Sequence, residues 1–296
     1  MAVTSQRSRF SAFGVVNTTI LVVIALLCIY PFLYIISVSL SDGRFVAAGH
    51  VFGWPKGLNI ETYRYVLSTP RLGILRGVLN SAWYTAAGTA FSVVITFLTG
   101  YALSKKRLVG ASVIMMGFIV TWIFDAGIVP AYIVNQKLGF VDNWLVMVIP
   151  WGFSTFLLIV TISFLRTIPD ELEESAFVDG ANDLQIMWRI YLPLSRPVIA
   201  TIAIFYAVQI WNSFLIPLIY FRDRSLAPIQ LVLYNLLIAG DADAASFQQI
   251  QSHGHEIYPV NIQAATMVFA IVPILCFYPW AQRYFSKGIL TGAVKG

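Results

Sequence analysis

Between Asp170 and Asp183 the chain sets six acids in fourteen residues, Asp170, Glu171, Glu173, Glu174, Asp179 and Asp183, at the head of the stretch DELEESAFVDGANDLQIMWRIYLPLSRPV. A run of this kind is either a solvated loop or a surface made for charged contact. Pro169 stands at a favourable first-turn position, and Asp170, Glu171, Glu173 and Glu174 load the N-terminal turns, where the helix dipole favours negative charge. Gly180 supplies a bend. Asn182 is a good N-cap for a second helix, in which Leu184, Met187, Trp188 and Tyr191 recur at i, i+3, i+4 and i+7 and predict one apolar face. Pro193 and Pro197 are expected to close it. The stretch therefore reads as a rigid elbow over residues 168–193: helix, glycine turn, helix and proline stop.

Catalytic signatures are missing elsewhere. No GxxxxGK[ST] occurs, so the phosphate-cradling loop of the P-loop ATPases is absent, and there is no HExxH, no GxSxG and no catalytic carboxylate pair inside an apolar segment. No catalytic, cofactor-binding or metal-binding residue is assigned. His253, His255 and Glu256 in SHGHE have metal-ligand chemistry, but a polar outer loop is the commoner explanation of them, and His50 stands alone. Cys28 and Cys276 lie far apart in apolar runs without a CxxC partner, which points to neither disulfide nor metal and leaves packing as their role.

Residues suited to holding a polar solute fall on apolar segments. Trp151 with Ser154 and Thr155, and Gln209 with Trp211, Asn212 and Ser213, combine aromatic faces with amide and hydroxyl groups, the mixture that grips sugars. Hydrogen bonding between helices is the competing role. Either one turns these side chains toward the bundle interior, because polar groups facing lipid are expensive. Asp125 is the single ionisable candidate for a pathway. Entered from Val109, sixteen residues at about 1.5 Å each carry it about 24 Å, close to the far edge of a roughly 30 Å hydrocarbon core. That depth favours a wet vestibule or a helix-end cap over a proton relay.

The elements that position these residues must be suited to lipid. Of 296 residues, 58% are hydrophobic and only 11% charged, against about 25% charged in an ordinary soluble domain. A helix needs about 20 apolar residues to cross, and six segments qualify: Val15 to Leu40, Leu79 to Ser104, Val109 to Val134, Asn143 to Leu165, Val198 to Phe221 and Ile262 to Phe285. An all-α membrane protein is expected, one transmembrane domain over residues 1–296 with the elbow between its fourth and fifth spans. The first span runs too long for a secretory signal and reads as an uncleaved anchor. QLVLYNLLIA, Gln230 to Ala239, is half the length of a crossing; Leu233 with Leu237 and Tyr234 with Ile238 fall at helical spacing and suggest a short amphipathic helix over the outer mouth, or one that simply packs a loop. The net charge of +5 is too small and too dispersed for a nucleic-acid partner, and suits anionic headgroups.

Orientation follows from where bases collect. With the N-terminus inside, Arg7, Arg9, Lys105, Lys106, Arg107, Arg166, Arg189, Arg196, Arg283, Lys287 and Lys295 lie inside, eleven of the nineteen. The compact SKKRL turn, Ser104 to Leu108, is the strongest indicator, because short loops obey the rule best. Both termini and the elbow are then cytoplasmic.

The spacing within the elbow resembles a known signature. Glu174, Ser175, Ala176, three residues, Gly180, nine residues, Ile190, one residue, Leu192 and Pro193 is similar to the EAA motif in membrane subunits of bacterial binding-protein-dependent ABC importers, with Ser175 where Ala is usual. The likeness extends from IPDELEESAF through the fifth span to PIQLVLY, and to the ending RYFSKGILTGAVKG; these stretches resemble the carbohydrate branch and its subgroup for complex oligosaccharides and polysaccharides, an alginate importer subunit being the narrower likeness. The resemblance implies an inner-membrane pore subunit without catalysis of its own. It implies as partners a second, homologous membrane subunit, two ATP-binding subunits that carry ATP and Mg²⁺, an extracytoplasmic solute-binding protein, a saccharide and membrane lipid. It further implies that Glu173, Glu174, Ser175, Ala176, Asp179, Gly180, Ile190, Leu192 and Pro193 form the surface that docks on the ATPase; Asp125, Trp151, Gln209, Trp211 and Asn212, chosen on their chemistry above, are the candidates for the substrate pathway. The alternative is a stand-alone secondary carrier of a polar solute, disfavoured by the scarcity of midplane charge.

Overall fold

A computed structural model describes residues 12–238, 250–252 and 255–292. Its helices are α1 (Ala12–Ser39), α2 (Gly43–Ala47), α3 (Glu61–Ser68), α4 (Ile74–Ser104), α5 (Ala111–Ile123), α6 (Ile128–Lys137), α7 (Thr155–Leu165), α8 (Asp170–Val178), α9 (Asp183–Leu194), α10 (Arg196–Trp211), α11 (Leu215–Tyr220), α12 (Ile229–Leu237) and α13 (Pro259–Gly292). A two-stranded antiparallel hairpin, β1 (Ile250–Ser252) and β2 (His255–Ile257), precedes α13, with Ile250 opposite Ile257. The helical class expected from composition is what forms. Arg7, Arg9, Lys295, Ala239 and His253 lie outside the described residues.

The chain clusters into two compact units, Met1–Thr69 with Gly240–Val268, and Pro70–Ala239 with Phe269–Gly296. In the first, α1 exposes its apolar side chains on every face from Phe13 to Tyr34. A helix apolar all round needs lipid or another apolar surface to cover it. Its C-terminal end is tied down by Asn261, fully buried, which donates through Nδ2 to the carbonyls of Val38 and Ser41 at 3.0 Å each, satisfying acceptors that a helix end leaves open. Glu256 on β2 accepts from Arg44 of α2 at 3.2 Å and from the Tyr258 hydroxyl at 3.2 Å, so the one acid of SHGHE already has partners.

In the second unit α4 is the hub, packed along α10, α7 and α12. Glycine permits the approach. A Cβ on Gly88 would stand 2.7 Å from Ile210 Cδ1, and one on Gly100 would stand 2.9 Å from Thr161 Cγ2. Between them the Thr96 hydroxyl lies 2.7 Å from the Tyr206 hydroxyl, which in turn accepts from the Ser154 amide at 3.1 Å, so α4, α10 and the start of α7 share one buried polar node. The expected surface helix is α12, and it packs on α4 rather than lying free. Its buried side is Ile229, Leu231, Val232 and Leu236, while Leu237 and Ile238 are exposed. The face inferred from Leu233 and Tyr234 is therefore rotated, because Gly77 and the Ser81 hydroxyl, which accepts from the Ile229 amide at 2.9 Å, fix the register at the start of the helix.

Several expected spans are broken. Val109 to Val134 forms α5 and α6 at a 115° bend. The break has a local cause: Asp125 Oδ1 accepts from the Gly127 amide at 3.1 Å, and Gly127 takes φ 83, a conformation that favours glycine. Asn143 to Leu165 is not one helix either; a 3₁₀ turn, Trp144–Met147, is followed by a turn through Pro150 and Gly152 before α7 begins under the Ser154 cap. Val198 to Phe221 divides at Asn212 into α10 and α11. Among the described residues, α1, α4 and the Pro259–Pro279 part of α13 are long and apolar enough to cross a membrane, and counting each bent pair as one span raises the number to five, with α7 a shorter apolar helix. Cys28 and Cys276 are both exposed. Each sits on an apolar helix face that the described residues of its unit leave exposed.

Candidate functional site

The acidic stretch folds as two helices joined by a left-handed glycine. α8 starts directly after Pro169 with Asp170, Glu171 and Glu173 in its first turn, and Gly180 takes φ 79 two residues after its end. Asn182 then accepts from the Gln185 amide while Gln185 Oε1 accepts from the Asn182 amide, both at 2.9 Å, a reciprocal cap that satisfies two orphan donors.

Two details differ from the expectation. Pro193 does not close α9. A π-turn over Met187–Tyr191 precedes it, and the helix continues to Leu194 before turning by 76° at Ser195 into α10; the wider turn accommodates a proline that lacks an amide. The predicted apolar face also divides. Met187 and Tyr191, with Ile186, are buried against Phe97, Tyr101, Leu165 and Ile168, whereas Leu184 and Trp188 are 66% and 59% exposed. The buried stripe runs through the π-turn and leaves the other two side chains uncovered.

The signature residues sort accordingly. Ala176, Ile190 and Leu192 are half-buried against that cluster. Glu174, Ser175, Asp179, Gly180 and Pro193 are exposed. Glu173 is different from its neighbour: its side chain is 14% exposed and is engaged by Lys105, itself 9% exposed, and it accepts from the Tyr191 hydroxyl at 2.8 Å. The Lys105 ammonium also lies over two rings, 3.6 Å from the centroid of Tyr191 and 4.3 Å from that of Tyr101, contacts that contribute about 0.5–2 kcal/mol as they lose water. The rest of the same turn follows suit. Lys106 meets Asp170 at 2.6 Å, and Arg107 meets Asp183 and, at 3.5 Å, Glu173, with its guanidinium over the Phe177 ring. In the sequence these three bases read as a topology signal, which gives no sign of their pairing with three of the six acids. Lys106 and Asp170 are 64 residues apart, and Lys105 and Glu173 are 68 apart, so no periodicity connects them; a cluster of bases and a cluster of acids on the same side of the membrane is the only hint.

Burial pushes the Glu173 carboxyl up, but hydrogen bonds from Lys105 and Tyr191 and the charges of Lys105 and Arg107 outweigh it and hold the pKa below the usual carboxylate range. Burial lowers Lys105 more than its carboxylate partner restores. The two directions disagree about whether the pair gains by being buried, and the carboxylate's is the one that matters in acid, since Lys105 stays protonated throughout. With its folded value below its unfolded one, Glu173 contributes stability above the ordinary carboxylate range and loses it as pH falls through the depressed value. Amide exchange protection in α8 of the solubilised protein is therefore expected to hold above the ordinary carboxylate range and to fall progressively as the pH drops from that range to the depressed value. Loss of protection at mildly acidic pH would contradict this pairing.

The candidate pathway residues lie apart from the elbow and do not form one group. Trp151 and Gln209 line a cleft of about 140 Å³ with Met147, Ile210, Ser213 and Ile216. Trp211 is buried and donates from Nε1 to the Ala270 carbonyl at 3.0 Å, while Asn212 donates from Nδ2 to the Val208 carbonyl at 2.9 Å on its own helix. Asp125 is exposed at the α5–α6 bend, where it holds the Gly127 turn. Within the single chain Trp151, Gln209 and Asn212 are exposed, and Asp125, expected at a wet vestibule or a helix-end cap, is exposed at the bend it caps. In a small helical unit the interior is filled by the α4 contacts, so polar groups of the broken spans are left on the surface.

Residues 72–291 match the family described as binding-protein-dependent transport system inner membrane component. The chain belongs to that family. This permease is 38% identical to Protein LplC of Bacillus subtilis (strain 168), over 96% of its own length and 95% of the relative's. It is 36% identical to the polygalacturonan/rhamnogalacturonan transport system permease protein YtcP of the same organism, over 93% and 96%. Among solved structures it superposes, with a TM-score of 0.86 and 30% identity, on a chain of a bacterial ABC transporter involved in the import of the acidic polysaccharide alginate, covering 96% of the permease and 100% of that chain. The permease is thus an inner-membrane component of a binding-protein-dependent transport system and not an enzyme.

Proposed function

We propose that the permease is one half of a membrane pore that carries an oligo- or polysaccharide inward, driven by ATP hydrolysed on separate subunits. The observation that carries this reading is the division of the elbow: Glu173 is consumed by the chain's own Lys105 turn, while Glu174, Ser175, Leu184 and Trp188 stand exposed on a base that is held in place. Exposed apolar side chains on the same elbow as an exposed carboxylate suit a protein partner better than water. In this reading the elbow is cytoplasmic and docks on one of two ATP-binding subunits, which hold the nucleotide and Mg²⁺. Their closure moves the elbow and opens the pore toward an extracytoplasmic binding protein, which delivers the saccharide. A second, homologous membrane subunit completes the pore, six segments of this chain cross the bacterial inner membrane, and both termini are inside.

The exposed positions of Trp151 and Gln209 fit such a pairing, because a cleft on the surface of one subunit becomes an interior wall when the other is added. An aromatic face with an amide and the Ser213 hydroxyl is the kind of lining that a sugar slides along.

The test is uptake by membrane vesicles containing the permease with its copurified partners. Saccharide accumulation is expected to require ATP and the binding protein and to survive collapse of the ion gradients. Accumulation that follows an ion gradient with ATP absent would make the chain a stand-alone carrier and overturn the reading. Crosslinkers placed at Ser175 or Ala176 are expected to capture an ATP-binding subunit.

A further inference from the structure

We propose that Lys105 is a positioning residue for coupling: through the Glu173, Tyr191 and Tyr101 box it locks both helices of the elbow to the end of α4, so that movement of the elbow reaches the hub helix directly. The inference rests on the docking of the elbow proposed above.

Without such a lock the elbow is joined to the membrane helices by the chain at its two ends, after α7 and into α10 across the 76° turn at Ser195, by apolar packing, which slides, and by the pairs that Lys106 and the half-exposed Arg107 make from the turn beyond α4. The box adds a directional tie at the end of α4 itself. Lys105 is the residue immediately after α4. Its ammonium is engaged by Glu173 of α8 and lies over Tyr191 of α9 at 3.6 Å and over Tyr101 of α4 at 4.3 Å. The Tyr191 hydroxyl closes the circuit by donating to Glu173 at 2.8 Å, and the Tyr101 hydroxyl donates to the Asp183 carbonyl at the start of α9 at 3.2 Å. Three helices thus meet at one cation whose side chain is only 9% exposed. The tyrosine rings stand edge to face, 5.1 Å apart, which fixes the cation laterally as well as along the ion pair.

A buried, hydrogen-bonded charge network has few alternative arrangements, since leaving any member unpaired in low dielectric is costly. That makes it a stiff connection. α4 carries the longest packing surfaces in its unit, against α10 and α7, so rotation of the elbow about its own axis becomes displacement of α4 rather than slippage over it. The neighbouring Lys106 to Asp170 pair is built differently: Lys106 is 86% exposed and Asp170 59%, so water and salt screen it and it is not expected to transmit force.

The experiment uses the full transporter, reconstituted with its ATP-binding subunits, membrane partner and binding protein, and reads saccharide transported per ATP hydrolysed. Lys105→Met and Glu173→Gln are expected to assemble, to continue hydrolysing ATP and to transport roughly tenfold less per ATP, a loss of the size typical of coupling between sites. Lys105→Arg, which keeps the cation over the rings, should restore most of the ratio, and Lys106→Ala should leave it unchanged. A residue that only stabilises the fold would lower the amount of assembled complex and leave the ratio intact. Unchanged transport per ATP in assembled Lys105→Met or Glu173→Gln complexes overturns the inference. If the wild-type transporter itself shows no ATP dependence, it is the docking reading that fails, and this inference goes with it.

Discussion

Glu174→Lys is expected to leave the permease inserted in the membrane while saccharide uptake falls to background and ATP hydrolysis by the partner subunits loses its response to the loaded binding protein. Two adjacent acids stand in different surroundings. Glu173 is spent within the chain on Lys105 and Tyr191. Glu174 is exposed and takes no part in the ion pairs that tie the elbow to the Lys105 turn. In the proposed complex its carboxylate faces a basic residue of the ATP-binding subunit, and a charge-assisted hydrogen bond partly shielded from water is worth more than an exposed pair. Reversing the charge replaces that attraction with repulsion, and a like-charge pair forced together at an interface costs several kcal/mol, or about a thousandfold in affinity. Glu174→Gln, which keeps the shape and removes only the charge, should show an intermediate loss. The measurement is uptake alongside copurification of the ATP-binding subunit and surface labelling for insertion. Full uptake by the lysine variant would remove this residue from the interface.

The second large effect is on stability. Gly100→Leu places a branched side chain where even a Cβ would stand 2.9 Å from Thr161 Cγ2, with Leu165 Cδ1 next at 3.6 Å. Thr161 is fully buried and donates to the Leu157 carbonyl at 2.7 Å, so it cannot simply swing away. Overpacking of this kind costs about 1–3 kcal/mol or more, and here it pries α7 from α4, the helices that frame the elbow. The melting temperature of the purified protein should drop by several degrees, on the order of 2–4 °C per kcal/mol for a chain of this size. Gly117→Leu is the control, because nothing stands within 4 Å of a Cβ at that position. Equal melting temperatures for the two variants would show that the α4–α7 contact is not close-packed.

Much of the elbow is legible in the residues themselves. Pro169, the acids of the first turn, the positive-φ Gly180 and the Asn182 cap act through bonds to their immediate neighbours, and local rules read local bonds. The extents of α4 and of the long α13 are likewise close to what an apolar run imposes. The broken spans are less legible. Asp125 and Gly127 stand plainly within an apolar run, yet a lipid ruler counts apolar residues and does not see an Asx turn that bends the chain by 115°. The rotated face of α12 escapes a periodicity argument for a similar reason: its register is set by Ser81 and Gly77 on a distant helix.

By itself, then, the amino-acid order determined the solvent, the helical class, the position of the elbow and the family signature within it, because burial in lipid, helix capping and glycine backbone freedom all act over a few residues. What only the tertiary structure decided was which acid the chain pairs with its own lysine. Glu173 and Glu174 are chemically alike and adjacent, and their difference arises from Lys105, which is 68 residues away from Glu173 in the chain and brought near by the packing of α4 against α7. A carboxylate's role depends on the charge that folding places beside it, and that placement is a property of the whole packed unit rather than of any short run of residues.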